Sequence, residues 1–291
     1  MGETIGWIGV GSIGHRMAKH LAKAGYSLVV ADAGSTARAP EGSKIAKSNA
    51  EVAASAETII LSLPDGKISV LVAKEIAAAP NRKAKTVIDT STIGIGAAEE
   101  AAAILAAVGV TYIDAPVSGG IAGADKATLS VMLACREEHY ERFKPLMAHM
   151  GKPFHIGPRA GQGQAVKLLN NFLSAAAQSA SCEAIAFGVK QGIPMAKILE
   201  VVNVSTGRNT ATDDKFPRRI INEAYDAGFT AALQAKDVSL YLENARKSGI
   251  SDEVATAVLD VWKKFEKDWP GADITHMYPY TRDGRVPPKK G

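Results

Sequence analysis

Gly9-Val10-Gly11-Ser12-Ile13-Gly14 follows an apolar run and opens a helical pattern over 12–24, and these are the first residues in the chain equipped for chemistry. In such a turn the first glycine permits the tight bend, the second lets the backbone approach a pyrophosphate, and the third lets the helix pack on its strand. The helix start adds unpaired N–H groups and a partial positive charge. Asp32 ends the second apolar run. Its carboxylate would accept hydrogen bonds from an adenosine ribose and repel a 2′-phosphate. Ala33-Gly34-Ser35 brings no guanidinium beside it, and Arg38 stands six positions on. The expected cofactor is therefore NAD, with NADP the lesser candidate.

Three more polar segments close apolar runs: Leu63-Pro64-Asp65, Asp89-Thr90-Ser91-Thr92, and Asp114-Ala115-Pro116-Val117-Ser118-Gly119-Gly120. Ligands of open α/β sheets bind outside the carboxyl ends of the strands, so these segments can face one crevice. Successive N–H groups around Ser118-Gly119-Gly120 can bind a carboxylate, since glycine lets the main chain come close. Gly161-Gln162-Gly163 leads into Lys167, with Asn171 four and Ser174 seven residues further on. That spacing stacks all three on one helical face. A lysine there exchanges a proton with a hydroxyl if burial and a nearby cation such as Lys236 lower its pKa. Taken alone, Lys167 reads equally well as a solvated charge.

These residues need a frame. From residue 4 to about 156, apolar runs at 5–10, 28–31, 58–63, 86–88, 111–113 and 129–133 alternate with Ala-rich helical stretches. Alternation of this kind predicts βαβ units building a Rossmann-type, doubly wound, mostly parallel sheet. After Gly157 strand-like runs stop, and 163–191 reads as one long helix crowded with small residues. Gly192-Ile193-Pro194 marks a helix stop and restart, and helical patterns follow at 235–248 and 252–267. The expectation is an α/β dinucleotide-binding domain over 1–160, an all-helical substrate and oligomerisation domain over 161–281, and a frayed tail over 282–291.

Composition narrows the function classes. The 291 residues are 46% hydrophobic and 22% charged, an ordinary globular mix that excludes a disordered or disulfide-scaffold chain. Of the formal net charge of +4, most comes from Arg282, Arg285, Lys289 and Lys290 against Asp283. A nearly neutral body argues against a nucleic-acid footprint. Cys135 and Cys182 show no C-x-x-C spacing and read as buried fillers in a reducing compartment. The six histidines form no metal-ligand pair, so no metal is expected. The longest strongly apolar stretch, 101–113, is too short to span a bilayer, and the N-terminus shows no signal-peptide pattern; the expected address is cytoplasmic.

Taken together, these motifs resemble the β-hydroxyacid dehydrogenase family, which includes 3-hydroxyisobutyrate dehydrogenase and tartronate semialdehyde reductase. The resemblance runs through the glycine turn, 89–92, 114–120, 161–171, 205–208 and Lys236-Asp237. It implies that Lys167 is the catalytic lysine and that Asn171 positions substrate. It makes Ser118-Gly119-Gly120 the carboxylate cradle, and it sets Gly9, Gly11, Ser12, Ile13, Gly14, Asp32, Leu63, Pro64, Thr92 and Lys236 around the cofactor. The implied reaction interconverts a small 3-hydroxy carboxylic acid and its aldehyde or keto acid, in a homodimer or homotetramer. Departures occur where the family often has Gly-Thr-Leu and this chain has Ala127-Thr128-Leu129, at Ala134-Cys135 in place of Gly-Gly, and in 271–278, which lacks Asp-x-Ser. They bear on substrate identity.

An imine reductase shares the architecture but commonly carries Asp or Tyr at the lysine position. A non-catalytic NAD-binding scaffold would not need Lys167, Asn171 and Lys236 together. A 6-phosphogluconate dehydrogenase resembles only the first part of the chain. Arg208 reads equally as a surface charge at a helix end or as a group reaching a substrate anion. His15-Arg16 reads as surface, beside the phosphates at most.

Overall fold

A computed structural model describes residues 3–284. Arg285, Lys289 and Lys290 of the expected tail lie outside the described residues, whereas Arg282 ends a helix and pairs with Asp283 at 2.6 Å. The chain forms two compact units, residues 1–167 and 168–291.

The first unit is the expected α/β sheet. Its elements are β1 (Thr4–Ile8), α1 (Gly14–Lys23), β2 (Ser27–Ala31), β3 (Lys44–Ile45), α2 (Asn49–Ser55), β4 (Thr58–Leu61), α3 (Gly66–Ala78) and β5 (Thr86–Asp89). There follow α4 (Ile95–Ala106), β6 (Thr111–Asp114), β7 (Val117–Ser118), α5 (Gly120–Lys126), β8 (Leu129–Ala134), α6 (Glu137–Ala148) and β9 (Gly151–Gly157). The strand order is β3-β2-β1-β4-β5-β6-β8-β7, with β9 also paired to β8. Pairing is parallel from β3 through to β6; β8 then runs antiparallel to β6 and β7 and parallel to β9.

Alternate side chains of the buried strands feed two cores. Ile5, Trp7, Leu28 and Val30 pack with α1, α5 and α6 on one face, and Ile8, Val29, Ala31 and Ile59 with α2, α3 and α4 on the other. Helices on both faces explain why the strands read as short, nearly continuous apolar runs. The order reverses at β1 and β4, which places the turns after those strands at the switch point of the sheet, where a dinucleotide crosses.

The long helix α7 spans Gln162–Lys190, 29 residues and about 43 Å at ~1.5 Å each. Its first turn and a half belongs to the first unit. The second unit continues with α8 (Met195–Val202), a π-helix (Ala211–Ile220), α9 (Ala231–Lys247), α10 (Glu253–Asp268), a 3-10 turn (Ile274–His276) and α11 (Met277–Arg282). Trp262, Phe216, Phe265 and Tyr278 fill its core against Ala175, Cys182, Ile185 and Ala186 of α7. Ala175 is small enough for Trp262 to reach the backbone, and the indole Nε1 donates to the Ala175 carbonyl at 3.3 Å. Pro217 sits inside the π-helix, whose wider winding tolerates a missing donor; the sequence reading passed over this element.

One expectation is corrected here. The longest apolar element is α7, not residues 101–113, and α7 is long and apolar enough to cross a membrane by length and composition. Its burial of Ala175, Cys182, Ile185 and Ala186 makes it the core helix of the second unit.

Candidate active site

The glycine turn and Asp32 are bound to each other. The Val10 N–H donates to Asp32 Oδ2 at 2.7 Å, and the N–H groups of Gly34 and Ser35 donate to Oδ1 at 2.8 and 3.0 Å. Burial works to raise the Asp32 pKa, but these backbone donors outweigh it and hold the carboxyl below its ordinary range. A permanently ionised Asp32 keeps lone pairs for ribose hydroxyls.

Gly9 has φ +98°, and a Cβ there would stand 2.1 Å from the Ser62 carbonyl oxygen at the end of β4. Nothing lies within 4 Å of where a Cβ on Gly11 would be, so the turn is open at the point where a pyrophosphate must approach. Ser12 and Ile13 bring the chain into α1, whose N-terminus has no side-chain cap. These residues fit a dinucleotide: a glycine cradle, an uncapped helix start and an ionised carboxylate at the adjacent strand end.

Asp32 also lines a groove of about 550 Å³ together with Lys47, Ser48 and Glu75. Lys47 is a cation the sequence reading overlooked, being fifteen residues from Asp32 along the chain. Arg38, the residue it weighed, is exposed. His15 and Arg16 are engaged locally: His15 Nδ1 lies 2.7 Å from the Gly11 carbonyl, and Arg16 pairs with Asp125 at 2.6 Å.

The other strand-end segments are tied together. Leu63 N–H donates to Ser91 Oγ at 2.7 Å, and Ser91 N–H to Asp89 Oδ1 at 2.9 Å. Asp65 caps α3 through the Ile68 N–H, which makes it structural. Pro64, exposed, and Thr92, half-buried, flank these bonds. Ser118 pairs with Ser130 at the end of β7, and Gly119 and Gly120 follow with φ +134° and +63°. Two such values in succession need glycine, and they leave this stretch of main chain without a Cβ.

Gln164 is the hub of this unit and was absent from the sequence reading. Its Oε1 accepts from the N–H groups of Ile93 and Gly94 at 2.9 and 3.1 Å, and its Nε2 donates to the Ser91 carbonyl at 3.0 Å and to Asp114 Oδ1 at 2.7 Å. Asp114 Oδ2 accepts from the N–H groups of Gly161 and Gln164 at 3.0 Å each. Both side chains are fully buried. Asp114 thus supplies the carboxylate that orphan N–H groups at a helix start require, from a neighbouring strand. Lys167, one turn further along α7, is 8% exposed, which removes its reading as a solvated charge.

In the second unit, Asn171 Nδ2 donates to Asp237 Oδ2 at 2.6 Å, and the Gln234 amide donates to the Asn171 carbonyl at 3.3 Å. Lys236 Nζ lies 3.4 Å from Asp237 Oδ1. Asp237, 2% exposed, therefore orients Asn171 and balances Lys236, a function that its place beside Lys236 in the sequence did not disclose. Arg208 pairs with Asp213 at 3.1 Å on an exposed surface, which favours its surface reading over an anion-binding one.

Residues 4–182 match the family described as the NAD binding domain of 6-phosphogluconate dehydrogenase. Residues 161–281 match the family described as the NAD-binding domain of NADP-dependent 3-hydroxyisobutyrate dehydrogenase. The chain is 32% identical to the 2-(hydroxymethyl)glutarate dehydrogenase of Eubacterium barkeri, over 89% of this chain and 95% of that one. It is 34% identical to a 3-hydroxyisobutyrate dehydrogenase of Pseudomonas aeruginosa, over 83% and 85%. The solved structure of Mycobacterium tuberculosis 3-hydroxyisobutyrate dehydrogenase with L-serine superposes with a TM-score of 0.88 at 30% identity, covering 97% of this chain and all of that one. With the glycine cradle, the doubly wound sheet and the long-helix domain in place, the chain belongs to the NAD(P)-dependent β-hydroxyacid dehydrogenase family, the group of 3-hydroxyisobutyrate dehydrogenase.

Proposed function

We propose that this protein is an NAD-dependent dehydrogenase that interconverts a small 3-hydroxy carboxylic acid, of the 3-hydroxyisobutyrate or 2-hydroxy-3-oxopropionate type, with its aldehyde or keto acid. The observation that carries the reading is Lys167: a buried lysine at the head of a helix that is bolted to the strand ends bearing the substrate-binding motifs. In the oxidising direction Lys167 Nζ takes the hydroxyl proton as the carbinol C–H bond breaks; in the reducing direction its ammonium polarises the carbonyl and returns that proton. The nicotinamide supplies the hydride acceptor when bound. Ser118, Gly119 and Gly120 hold the substrate carboxylate, and Asn171, fixed by Asp237, positions the reacting oxygen. Lys236 and Thr92 serve the cofactor side. A steady-state screen of 3-hydroxy acids and aldehyde acids with both cofactors tests the reading; no turnover with any of them would favour the non-catalytic scaffold. The two buried, unpaired cysteines suit the reducing cytoplasm, where we place the enzyme.

The ribose role of Asp32 predicts a preference for NAD. Replacing Asp32 by Ala should narrow that preference about tenfold or more, because the repulsion of a 2′-phosphate goes while Lys47 in the same groove stays to attract it. Kinetics of the wild type favouring NADP tenfold would sink the assignment.

Assembly is the next expectation. Leu169, Leu173 and Phe187 of α7 are 42%, 59% and 67% exposed, and only a third of the helix's most apolar 18-residue window is buried. Apolar surface of this kind on a core helix asks for a second copy of the chain, giving a homodimer or homotetramer. Light scattering at micromolar concentration should report an oligomer, and Leu173→Glu combined with Phe187→Glu should dissociate it; a monomeric wild type refutes the assembly.

A further inference from the structure

β3 is two residues long, yet the register it sets carries past its end. Val29 and Val30 of β2 stand opposite Lys44 and Ile45, and the Ala46 N–H donates to the Val30 carbonyl at 2.8 Å. Two residues beyond the Val30–Ile45 pair, Asp32 and Lys47 come level with each other on adjacent strand ends. Neighbouring strands run about 4.8 Å apart, and both residues line the groove of about 550 Å³. Lys47 is exposed, and its ammonium has no ion pair among the described residues. Glu51, four positions on, is already taken up: it accepts from the Lys47 N–H at 2.8 Å and pairs with Lys44 at 3.2 Å. Glu75, which also lines the groove, accepts from Asn49 Nδ2 at 2.6 Å.

The neighbour of this ammonium says which anion it suits. Asp32, fixed by the N–H groups of Val10, Gly34 and Ser35, is the residue read as the ligand of the adenosine ribose hydroxyls. A phosphate on the 2′-oxygen cannot share the place of that carboxylate, so it must lie beside it. Ala33-Gly34-Ser35, which follow Asp32, bring no cation, and Lys47 is the one cation among the residues that line the groove. A compact ammonium on a flexible four-carbon stem meets a phosphate as a point charge and needs no fixed fork geometry.

We propose that Lys47 is a seat for the 2′-phosphate of NADP, so that the chain accepts both dinucleotides, Asp32 setting the preference for NAD and Lys47 limiting its size. This rests on the reading of Asp32 as the ribose ligand and adds to it a second specificity residue, supplied by the end of the next strand and not by the residues after Asp32. The two act in opposite directions on one group: a carboxylate repels the 2′-phosphate and an ammonium level with it attracts it, and discrimination between the cofactors is the difference of the two. The pairing is solvent-exposed, which makes it modest and sensitive to salt.

Calorimetric dissociation constants of 5′-AMP and of adenosine 2′,5′-bisphosphate, which differ by the 2′-phosphate alone, test the seat without turnover. The wild type should bind the bisphosphate more weakly than AMP. Lys47→Met should widen that ratio about fivefold, the size expected of an exposed charge pair, and Lys47→Arg should leave it near the wild-type value. In an Asp32→Ala background, where the repulsion is gone, Lys47→Met should again weaken the bisphosphate relative to AMP by about fivefold, and by less as ionic strength rises. Lys47→Glu, a second variant that reverses the charge, should widen the ratio further and decides the matter should Lys47→Met fail to fold. A ratio that these substitutions leave unmoved in both backgrounds overturns the proposal while the ribose reading of Asp32 stands. A wild type that binds the bisphosphate more tightly than AMP, or binds neither, overturns the proposal together with that reading.

Discussion

Lys167→Ala should lower turnover on the best hydroxy acid by at least the ~10²- to 10⁴-fold that accompanies loss of a positioned acid–base group. The proposed cofactor cradle is the turn after β1 with Asp32, held by the Val10, Gly34 and Ser35 N–H groups, so NAD affinity measured by fluorescence titration should stay within about twofold. Lys167→Arg should rescue poorly, because a guanidinium remains charged and cannot act as a base near neutral pH. Asn171→Ala should behave differently. In the proposed role its amide, held by Asp237 at 2.6 Å, orients the substrate without exchanging a proton, so both KM and kcat should change, and Asp237→Asn should reproduce part of that effect. Near wild-type turnover in Lys167→Ala would make the head of α7 purely structural and send the proton through another group.

How much of this could be read from the sequence follows from how local each signal is. The sheet and the glycine turn announce themselves, since a buried parallel strand must be an apolar run and a strand-to-helix turn around a pyrophosphate must be glycine-rich. The long helix was legible because nearly thirty residues without proline or a turn signal leave few alternatives, and its observed span of Gln162–Lys190 departs from the expected 163–191 by one residue at each end. β3 and β7, two residues each, carry no periodicity, and β9 (GKPFHIG) has an exposed alternation and a proline that argue against a strand. The π-helix is invisible for the opposite reason: Asp-Asp-Lys-Phe-Pro reads as a loop until tertiary packing of Phe216 and Ile220 holds it.

At the candidate site, the residues that the sequence singles out are those with a motif, and the residues it does not are those that hydrogen-bond to their neighbours from far along the chain. Asp237 and Gln164 act through partners 66 and 50 positions away, at Asn171 and Asp114, and no spacing rule reports such distances. Asp114 stands out in the sequence as a polar strand end, and its carboxylate serves the start of α7. A polar residue closing a buried strand is thus ambiguous between binding a ligand and capping a distant helix, and only the fold decides.

That cap supports the second large effect. Gln164→Leu should destabilise the protein by at least about 4 kcal/mol, since the N–H groups of Ile93 and Gly94, the Ser91 carbonyl and one oxygen of Asp114 would all lose a partner in a fully buried place, where each orphan costs about 1–3 kcal/mol. Calorimetry should show Tm falling by roughly 10 °C, at the ~2–4 °C per kcal/mol expected for domains of this size. Catalysis should suffer beyond the unfolded fraction. Gln164 ties the 91–94 and 114 strand ends to the helix turn before Lys167, and displacing a reacting group by about 1 Å can cost ~10²-fold. The expected result is kcat down at least tenfold at temperatures where the variant is fully folded, with NAD affinity little changed; a lower Tm with unaltered kcat would make Gln164 a stability residue only. Asp114 adds a pH signature to the same brace. Burial pushes its carboxyl from 3.8 up to about 7 against the pull of three N–H donors, so between those pH values the folded protein binds a proton that the unfolded chain does not. Its contribution to stability is full below about pH 4 and is lost as pH rises through 7, and Asp114→Asn should flatten that part of the Tm–pH curve. The substitution should also lower Tm throughout. With its Oδ1 kept towards the Gly161 and Gln164 N–H groups, the asparagine sets its NH₂ against Gln164 Nε2, and turning the glutamine amide to receive it would strand the N–H groups of Ile93 and Gly94. A Tm–pH curve for Asp114→Asn that parallels the wild type from pH 5 to 8 would show that the proton binds elsewhere.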